Sequence, residues 1–215
     1  MSVLGIDLSA SSKKPSFHAL LDGNSKLTHL GKFSAYDELL GFLEVHKPSL
    51  IAIDAPLALP LGLDCLEESH PCTPTLEHKG RACEQELARM HIGCFFTTKR
   101  SIIKTLIYRG LDIYRDLVGK GYQVVEVYPY ATKVILFGDK LPPKNGARGL
   151  AFLKDKLSGL IVDLEPYMDD LNHDGCDALL AAYTASLHQE NRTDSLGVAD
   201  EGYVVVPKLL AKVQH

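Results

Sequence analysis

The stretch Ser-Leu-Ile-Ala-Ile-Asp at residues 49–54 is a nearly continuous apolar run that ends in an acid. This pattern is typical of a strand that is buried on both faces and follows a helical crossover. Apolar residues at helical spacing over residues 35–46 predict that crossover helix. Ser34 is its expected N-cap, with Asp37 in the position of a capping box, and Pro48 is its expected end.

The residues before this helix predict three strands in a meander. Residues 3–8 form a short apolar run that carries Asp7, and two further strand-like runs flank the turn Asp22-Gly23-Asn24. Together the three runs occupy residues 3–33. The element order up to residue 54 is therefore β-β-β-α-β, with an acid at the ends of the first and the fourth strand.

The rest of the chain adds helices and two more strands. Residues 123–129 predict a fifth strand, which carries Glu126, and residues 203–207 predict a last short strand. Residues 56–100 hold four of the five cysteines and show little periodicity, which indicates an inserted cap. We therefore expect an α/β fold in a single domain over residues 1–215, with a mixed five-stranded sheet flanked by helices and a cap at about 56–100. The expected helices lie at residues 81–90, 101–119, 131–137, 150–159 and 174–188.

The composition is that of an ordinary globular domain. The 215 residues include 27 acids and 23 Lys or Arg, which gives a formal net charge of −4. This balance argues against a protein that coats nucleic acid through bulk positive charge. The longest mainly apolar stretch, residues 50–63, contains an acid and two prolines and is too short to span a bilayer, so no membrane partner is expected. Five cysteines and no targeting segment predict free thiols in a cytoplasmic protein.

Five acids are placed so that they would converge. Asp7 and Asp54 end two strands, Glu126 lies in a third, and Asp174 and Asp177 are three residues apart at the start of the last helix. Strand ends meet at one edge of an open α/β sheet, and helix positions three apart share a face. Such a cluster repels itself unless a divalent cation such as Mg²⁺ or Mn²⁺ neutralises it. Two such ions can clamp the attacking and leaving oxygens of a phosphoryl transfer.

Each acid alone has a simpler explanation. Asp174 and Asp177 could be favourable charges in the first turn of a helix. Asp54 could form a turn before Ala-Pro, and Glu126 could be a paired residue of an edge strand. These explanations weaken when the acids are taken together, because acids inside three apolar strand patterns are costly unless they are bound or paired.

The order β-β-β-α-β with these acids resembles the RNase H fold, and Asp174-Gly-Cys-Asp177 is similar to the acidic pair on the last helix of RuvC-type resolvases. The whole chain more closely resembles the domain-of-unknown-function family 429, a family of predicted RNase-H-like nucleases. The matching stretches are residues 5–7, 53–57, 80–84, 126–129, 174–182 and 201–207. The resemblance implies an RNase H-like fold and a nuclease activity. It also implies that Asp7, Asp54, Asp174 and Asp177 are the metal ligands, with Glu126 as a fifth acid.

The segment 56–100 contains further candidate residues. Arg81, Lys99 and Arg100 would hold phosphates if this segment covers the metal edge, whereas the alternative is a solvated helix and loop. Its cysteines and histidines include no C-x₂₋₄-C pair, so zinc is not expected. His18 and His29, in the predicted meander, are interpreted as ordinary half-exposed residues.

Three functions are compatible with these residues. The first is a metal-dependent nuclease that hydrolyses phosphodiester bonds of DNA or RNA with two Mg²⁺ or Mn²⁺ ions. The second is an actin-like ATP-dependent phosphotransferase, because residues 5–9 resemble a first phosphate loop, but a second glycine-rich loop is missing. The third is a catalytically silent binding protein of the same fold. The oligomeric state stays open, and a dimer is one option.

Overall fold

The computed structural model describes residues 1–11, 13–75, 78–143 and 147–209. Within this part of the chain, seven strands form one sheet in the order β3-β2-β1-β4-β5-β7-β6. Strands β1, β2 and β3 form an antiparallel meander, while β1, β4, β5 and β7 run parallel to one another and β6 pairs antiparallel with β7. The strands are β1 Val3–Asp7, β2 Ser16–Leu21, β3 Leu27–Phe33, β4 Leu50–Asp54, β5 Val124–Val127, β6 Thr193–Val198 and β7 Gly202–Pro207.

Six α-helices are described in the same ranges, and they lie close to the predicted positions. Two short 3₁₀ helices, Glu165–Tyr167 and Ala199–Glu201, complete the described elements. The α-helices are α1 Tyr36–His46, α2 Ala82–Arg89, α3 Lys104–Gly119, α4 Pro129–Phe137, α5 Ala147–Ser158 and α6 His173–Gln189.

The RNase H-like fold is confirmed by the order β3-β2-β1-β4-β5, in which an antiparallel meander precedes parallel strands. The predicted strand count of five is wrong. Strand β6 was not predicted, because its sequence Thr-Asp-Ser-Leu-Gly-Val lacks an apolar alternation. It forms the outer strand of a β6–β7 hairpin. Pairing with β7, rather than burial of its own side chains, stabilises it.

The start of α1 also differs from the prediction. The N-cap is Ala35 rather than Ser34, and Ala35 makes no side-chain capping bond. The Ser34 amide instead donates to Glu38 Oε2 at 2.8 Å. Glu38, and not the shorter Asp37, therefore accepts the hydrogen bond of the Ser34 amide. This agrees with the preference of capping boxes for Glu.

The two faces of the sheet are covered by different helices. Side chains of α1 and α3 pack with Leu4, Ile6, Ile51 and Ile53 on one face. Helix α6, with α5 behind it, packs on the other face. Because side chains alternate along a strand, the last residues of β1 and β4, which are Asp7 and Asp54, point to the α6 face.

Gly5 lets α6 rest directly on strand β1. A Cβ atom added at Gly5 would lie 2.1 Å from the Ala182 nitrogen and 2.3 Å from the Ala178 oxygen. Both of these are backbone atoms of α6, so the helix axis approaches the strand more closely than any side chain would permit. This contact sets the position of Asp177, which directly precedes Ala178, relative to the end of β1.

His18 is buried rather than half-exposed as predicted. It is 4% exposed, and neither ring nitrogen has a hydrogen-bond partner among the described residues. Its ring stacks on His29 at a centroid distance of 5.1 Å and contacts Phe42 at 4.4 Å. Burial lowers the pKa of His18 to about 4, with smaller contributions from His29 and His46.

The depressed pKa of His18 predicts a loss of stability in acid. The unfolded chain takes up this proton near pH 6.5, whereas the folded chain takes it up only near pH 4. The free energy of unfolding is therefore highest above pH 6.5 and falls as the pH drops towards 4. We expect the free energy of unfolding to fall by about 2 kcal/mol between pH 7 and pH 5 from this residue. Urea unfolding at both pH values measures the change. A His18→Phe variant should show a flatter pH dependence, whereas His91→Asn, an exposed control, should leave the slope unchanged.

Candidate functional site

Asp7 and Asp54 lie side by side at one edge of the sheet. They are the last residues of two adjacent parallel strands and are direct register partners. Neighbouring strands are about 4.8 Å apart, so the two carboxylates emerge at the same place. Both line a cavity of about 380 Å³ at this edge.

Helix α6 brings a third carboxylate to this cavity. Asp177 is 4% exposed and lines the cavity together with Asp7 and Asp54. Lys133 of α4 is also buried, and its Nζ lies 2.5 Å from Asp177 Oδ1. A buried charge is retained only with a partner of opposite charge, and Lys133 is such a partner for Asp177.

Tyrosines complete the polar wall of the cavity. Tyr128 follows β5 directly, and its hydroxyl donates to the Gly93 carbonyl at 2.8 Å. Burial raises the pKa of Tyr128, and the carboxylates of Asp54 and Asp177 raise it further. The phenol therefore stays neutral near the acids and can serve only as a hydrogen-bonding group. Tyr130 lines the same cavity and is 43% exposed.

Arg81 forms a buried ion-pair network below the cavity. Its guanidinium donates to both oxygens of Glu126, at 2.8 and 2.6 Å, and its Nε donates to Glu84 at 3.0 Å. Arg81 is 1% exposed, Glu84 2% and Glu126 7%. Burial alone would lower the pKa of Arg81, but Glu126 and the other neighbouring acidic groups together outweigh it, and the pKa is raised above its ordinary value. The two buried carboxylates of this network thus share one cation.

The register of β5 places Glu126 on a different face of the sheet from the two strand-end acids. Glu126 pairs with Ile53, one residue before Asp54. Because side chains alternate between the two faces, Glu126 emerges on the face opposite to Asp54. Its second oxygen also accepts the Leu57 amide at 2.7 Å. Glu126 lines the same cavity as Asp7 and Asp54, but both of its oxygens also bind Arg81 and thereby connect the sheet to the segment 56–100.

Comparison with known proteins defines the family of this chain. The family model described as "Protein of unknown function (DUF429)" matches residues 5–201. The chain belongs to this family. The predicted resemblance to family 429 is thereby confirmed over most of the sequence.

The other comparisons add less for this DUF429 protein. Among solved structures, RuvC of Thermus thermophilus is similar to it with a TM-score of 0.47 and 14% identity, over 89% of this chain and 97% of that chain. No curated protein is significantly similar in sequence. No helix of the described residues is both long and apolar enough to cross a membrane.

Asp174 of the DUF429 chain lies apart from Asp177. It is not among the described residues that line the cavity, and its carboxylate pairs with Lys14 Nζ at 2.9 Å. The Asp174 side chain is 24% exposed and that of Lys14 66%, so the pair lies at the surface. The structure therefore brings four of the five predicted acids, Asp7, Asp54, Glu126 and Asp177, to one cavity, and Asp174 is not among the described residues that line it.

The three predicted phosphate ligands have different positions. Arg81 lines the cavity floor but is engaged with Glu126 and Glu84. Lys99 donates to the His70 carbonyl, and Arg100 is exposed and 3.4 Å from Glu68. Neither Lys99 nor Arg100 is among the described residues that line the cavity.

Lys133, Tyr128 and Tyr130 were not predicted from the sequence as residues of the site. The signal that could have found Lys133 is its place one turn into the helix that follows a buried strand, since such helix starts face the carboxyl edge of the sheet. Phe95, at the rim of the cavity and 57% exposed, was also missed. An isolated exposed aromatic residue in an irregular segment carries no periodic signal.

The donor set of the cavity fits a hard divalent cation chemically. Three carboxylates are ligands that Mg²⁺ and Mn²⁺ accept. A divalent cation held by Asp177 would compete there with the Lys133 ammonium.

Proposed function

We propose that this DUF429 protein is a metal-dependent hydrolase of phosphodiester bonds in nucleic acid. The observation that carries the proposal is the register pairing of Asp7 with Asp54 at the cavity edge, with Asp177 facing them from α6. Acids at adjacent strand ends are costly in an apolar sheet unless they serve as ligands or are paired. Three carboxylates around a cavity that is open to solvent suit divalent cations better than any single protein cation.

The residues of the cavity would have different roles in this reaction. Asp7, Asp54 and Asp177 hold Mg²⁺ or Mn²⁺, and Lys133 balances Asp177 when no cation is present. When bound, two such ions supply an activated water and stabilise the leaving oxygen of the phosphodiester. Tyr128, kept neutral by burial, can donate a hydrogen bond to a phosphate oxygen only after its bond to Gly93 is exchanged.

Two rim residues support nucleic acid as the substrate class. Phe95 and Tyr130 both line the cavity and are exposed, at 57% and 43%. Bases of single-stranded nucleic acid stack on exposed aromatic rings with little dependence on sequence. Lys99 and Arg100, in the segment that carries Phe95, would meet phosphates further along the strand.

An Asp7→Asn variant tests the proposal. We expect wild-type protein to cleave members of a panel of single-stranded, double-stranded and branched DNA and RNA with Mn²⁺ or Mg²⁺. The variant should lose at least about 100-fold of that activity, because even indirect supports of a metal ligand contribute 10–100-fold. Asp112→Asn, an exposed acid on α3, is the matched control and should keep full activity. Unchanged cleavage by folded Asp7→Asn would refute the proposed ligand role.

A second candidate function is favoured by the ion pair of Lys133 with Asp177. Because this pair already neutralises one acid at 2.5 Å, the cavity could bind a partner without a metal, as a catalytically silent member of the fold. Calorimetric titration with Mn²⁺ separates the two functions. Binding at millimolar or lower concentration supports the hydrolase, whereas no heat at millimolar Mn²⁺ together with no cleavage supports the silent binding protein.

A further inference from the structure

A second group of metal-ligating side chains lies outside the carboxylate cavity. The ligand atoms of Cys65, His70 and Cys72 all lie within 4.8 Å of one another. The three residues belong to an irregular loop between β4 and α2, and the described cysteines form no disulfide. We propose that these three side chains form a Zn²⁺ site.

The chemistry of the donors selects the metal class. Two thiolates and one imidazole form a soft set that prefers Zn²⁺ to Mg²⁺ or Mn²⁺. Three protein ligands of the Cys₂His type leave a fourth tetrahedral position for water or another ligand. His70 is exposed and both cysteines are half-buried, so the site is open to solvent and metal can enter.

Helix α3 packs against the loop and holds its backbone in place. The Leu66 amide donates to the Tyr108 hydroxyl at 2.7 Å, and this hydroxyl donates to Glu67 at 3.0 Å. Leu66 is fully buried in a cluster with Ile107 and Leu111 of α3. The backbone between the ligands is therefore anchored before any metal binds, which lowers the ordering cost of binding.

The contacts among the three ligands are weak ones that a metal can replace. The Cys72 amide donates to His70 Nδ1 at a long 3.3 Å, and the Cys72 thiol donates to the Cys65 carbonyl at 3.7 Å. Binding of Zn²⁺ requires both thiols to lose their protons, which are released to solvent. Two thiolates then balance the two positive charges of the ion, so the neighbouring Lys99 ammonium meets a neutral centre.

A metal ion in this site would also affect two basic residues that follow in the chain, Lys99 and Arg100. Lys99 donates to the carbonyl of His70, and Arg100 pairs with Glu68 of the same loop at 3.4 Å. A bound metal would fix this loop and with it the position of both basic residues. The inference does not depend on the proposed hydrolase activity, because none of its ligands lines the carboxylate cavity.

Cobalt substitution tests the site with a signal that only thiolate ligands give. Full-length protein is stripped with a chelator, kept reduced with a phosphine and titrated with Co²⁺. We expect a thiolate-to-cobalt charge-transfer band in the near ultraviolet that saturates at one Co²⁺ per chain and disappears when Zn²⁺ is added. Cys72→Ser and His70→Gln should each weaken metal binding by at least about tenfold. Circular dichroism verifies that the variants are folded.

Two control variants identify the source of the band. Cys94→Ser removes a thiol of similar exposure outside the loop and should retain the full band. Asp7→Asn alters the carboxylate cavity and should also retain it, so loss of nuclease activity and loss of the band are separate outcomes. A wild-type titration without a charge-transfer band, or an undiminished band in folded Cys72→Ser, would overturn the proposal.

Discussion

Replacement of Arg81 by Met is expected to lower the free energy of unfolding by about 3–5 kcal/mol, the range for breaking a buried ion pair from one side. Arg81 donates two hydrogen bonds to Glu126 and a third to Glu84, and all three side chains are buried. The variant leaves two carboxylates in an apolar environment without their cation. For a chain of this length, such a loss corresponds to a fall in melting temperature of roughly 10 °C.

Chemical unfolding of Arg81→Met and of a matched surface variant measures this effect. Arg192→Met removes an exposed pair with Glu190 at 2.8 Å and should change stability by less than about 1 kcal/mol. The double variant Arg81→Met, Glu126→Met should recover part of the loss, because one orphaned charge is removed with its partner. A loss below about 1 kcal/mol in Arg81→Met would mean that water reaches the network.

Replacement of Gly5 by Ala is expected to destabilise the protein by about 3 kcal/mol or more, at the upper end for overpacked cores. The new methyl group would lie 2.1 Å from the Ala182 nitrogen and 2.3 Å from the Ala178 oxygen. Since these are backbone atoms, no rotamer change can relieve the overlap. Helix α6 must move away from β1, and Asp177 moves with it away from Asp7.

Gly41→Ala is the natural control for this variant. Gly41 lies within α1, and no atom lies within 4 Å of the position that its Cβ would take. Alanine there should raise stability by about 0.5–1 kcal/mol through helix propensity. Thermal melts of both variants measure the two changes in stability. A Mn²⁺ titration of Gly5→Ala measures how the displacement of Asp177 changes metal binding. Wild-type stability in Gly5→Ala would contradict the close contact between α6 and β1.

The fold was largely predictable because its central strands carry strong local signals. Residues 50–54 and 3–7 are apolar runs, and α1 and α3 show clear helical spacing, so their positions agree with the structure within a few residues. Strand β6 was not predictable in this way, because it is stabilised by pairing with β7 and its own sequence is polar. A polar outer strand of a hairpin shows no alternation of apolar and polar residues that would predict it.

The candidate site was predictable only in its strand-end acids. Asp7 and Asp54 share an edge of the sheet because both end parallel strands, and this follows from topology alone. Which face Glu126 points to depends on a register shift of one residue, which the sequence does not specify. Ion pairing with Lys133 and Arg81 depends on helices α4 and α2 docking from distant segments, and so could not be inferred from spacing.

Two buried glutamates govern when the segment 56–100 can reach its final structure during synthesis. Glu126 accepts the amide of Leu57, and Glu201 accepts the amides of Leu61 and Ala82. Both acceptors emerge from the ribosome after the segment itself, Glu126 first and Glu201 later. The segment therefore completes its buried hydrogen bonds only after Glu201 has been synthesised. In a nascent chain, the segment 56–100 thus reaches its final structure later than strand β5, which follows it in the sequence.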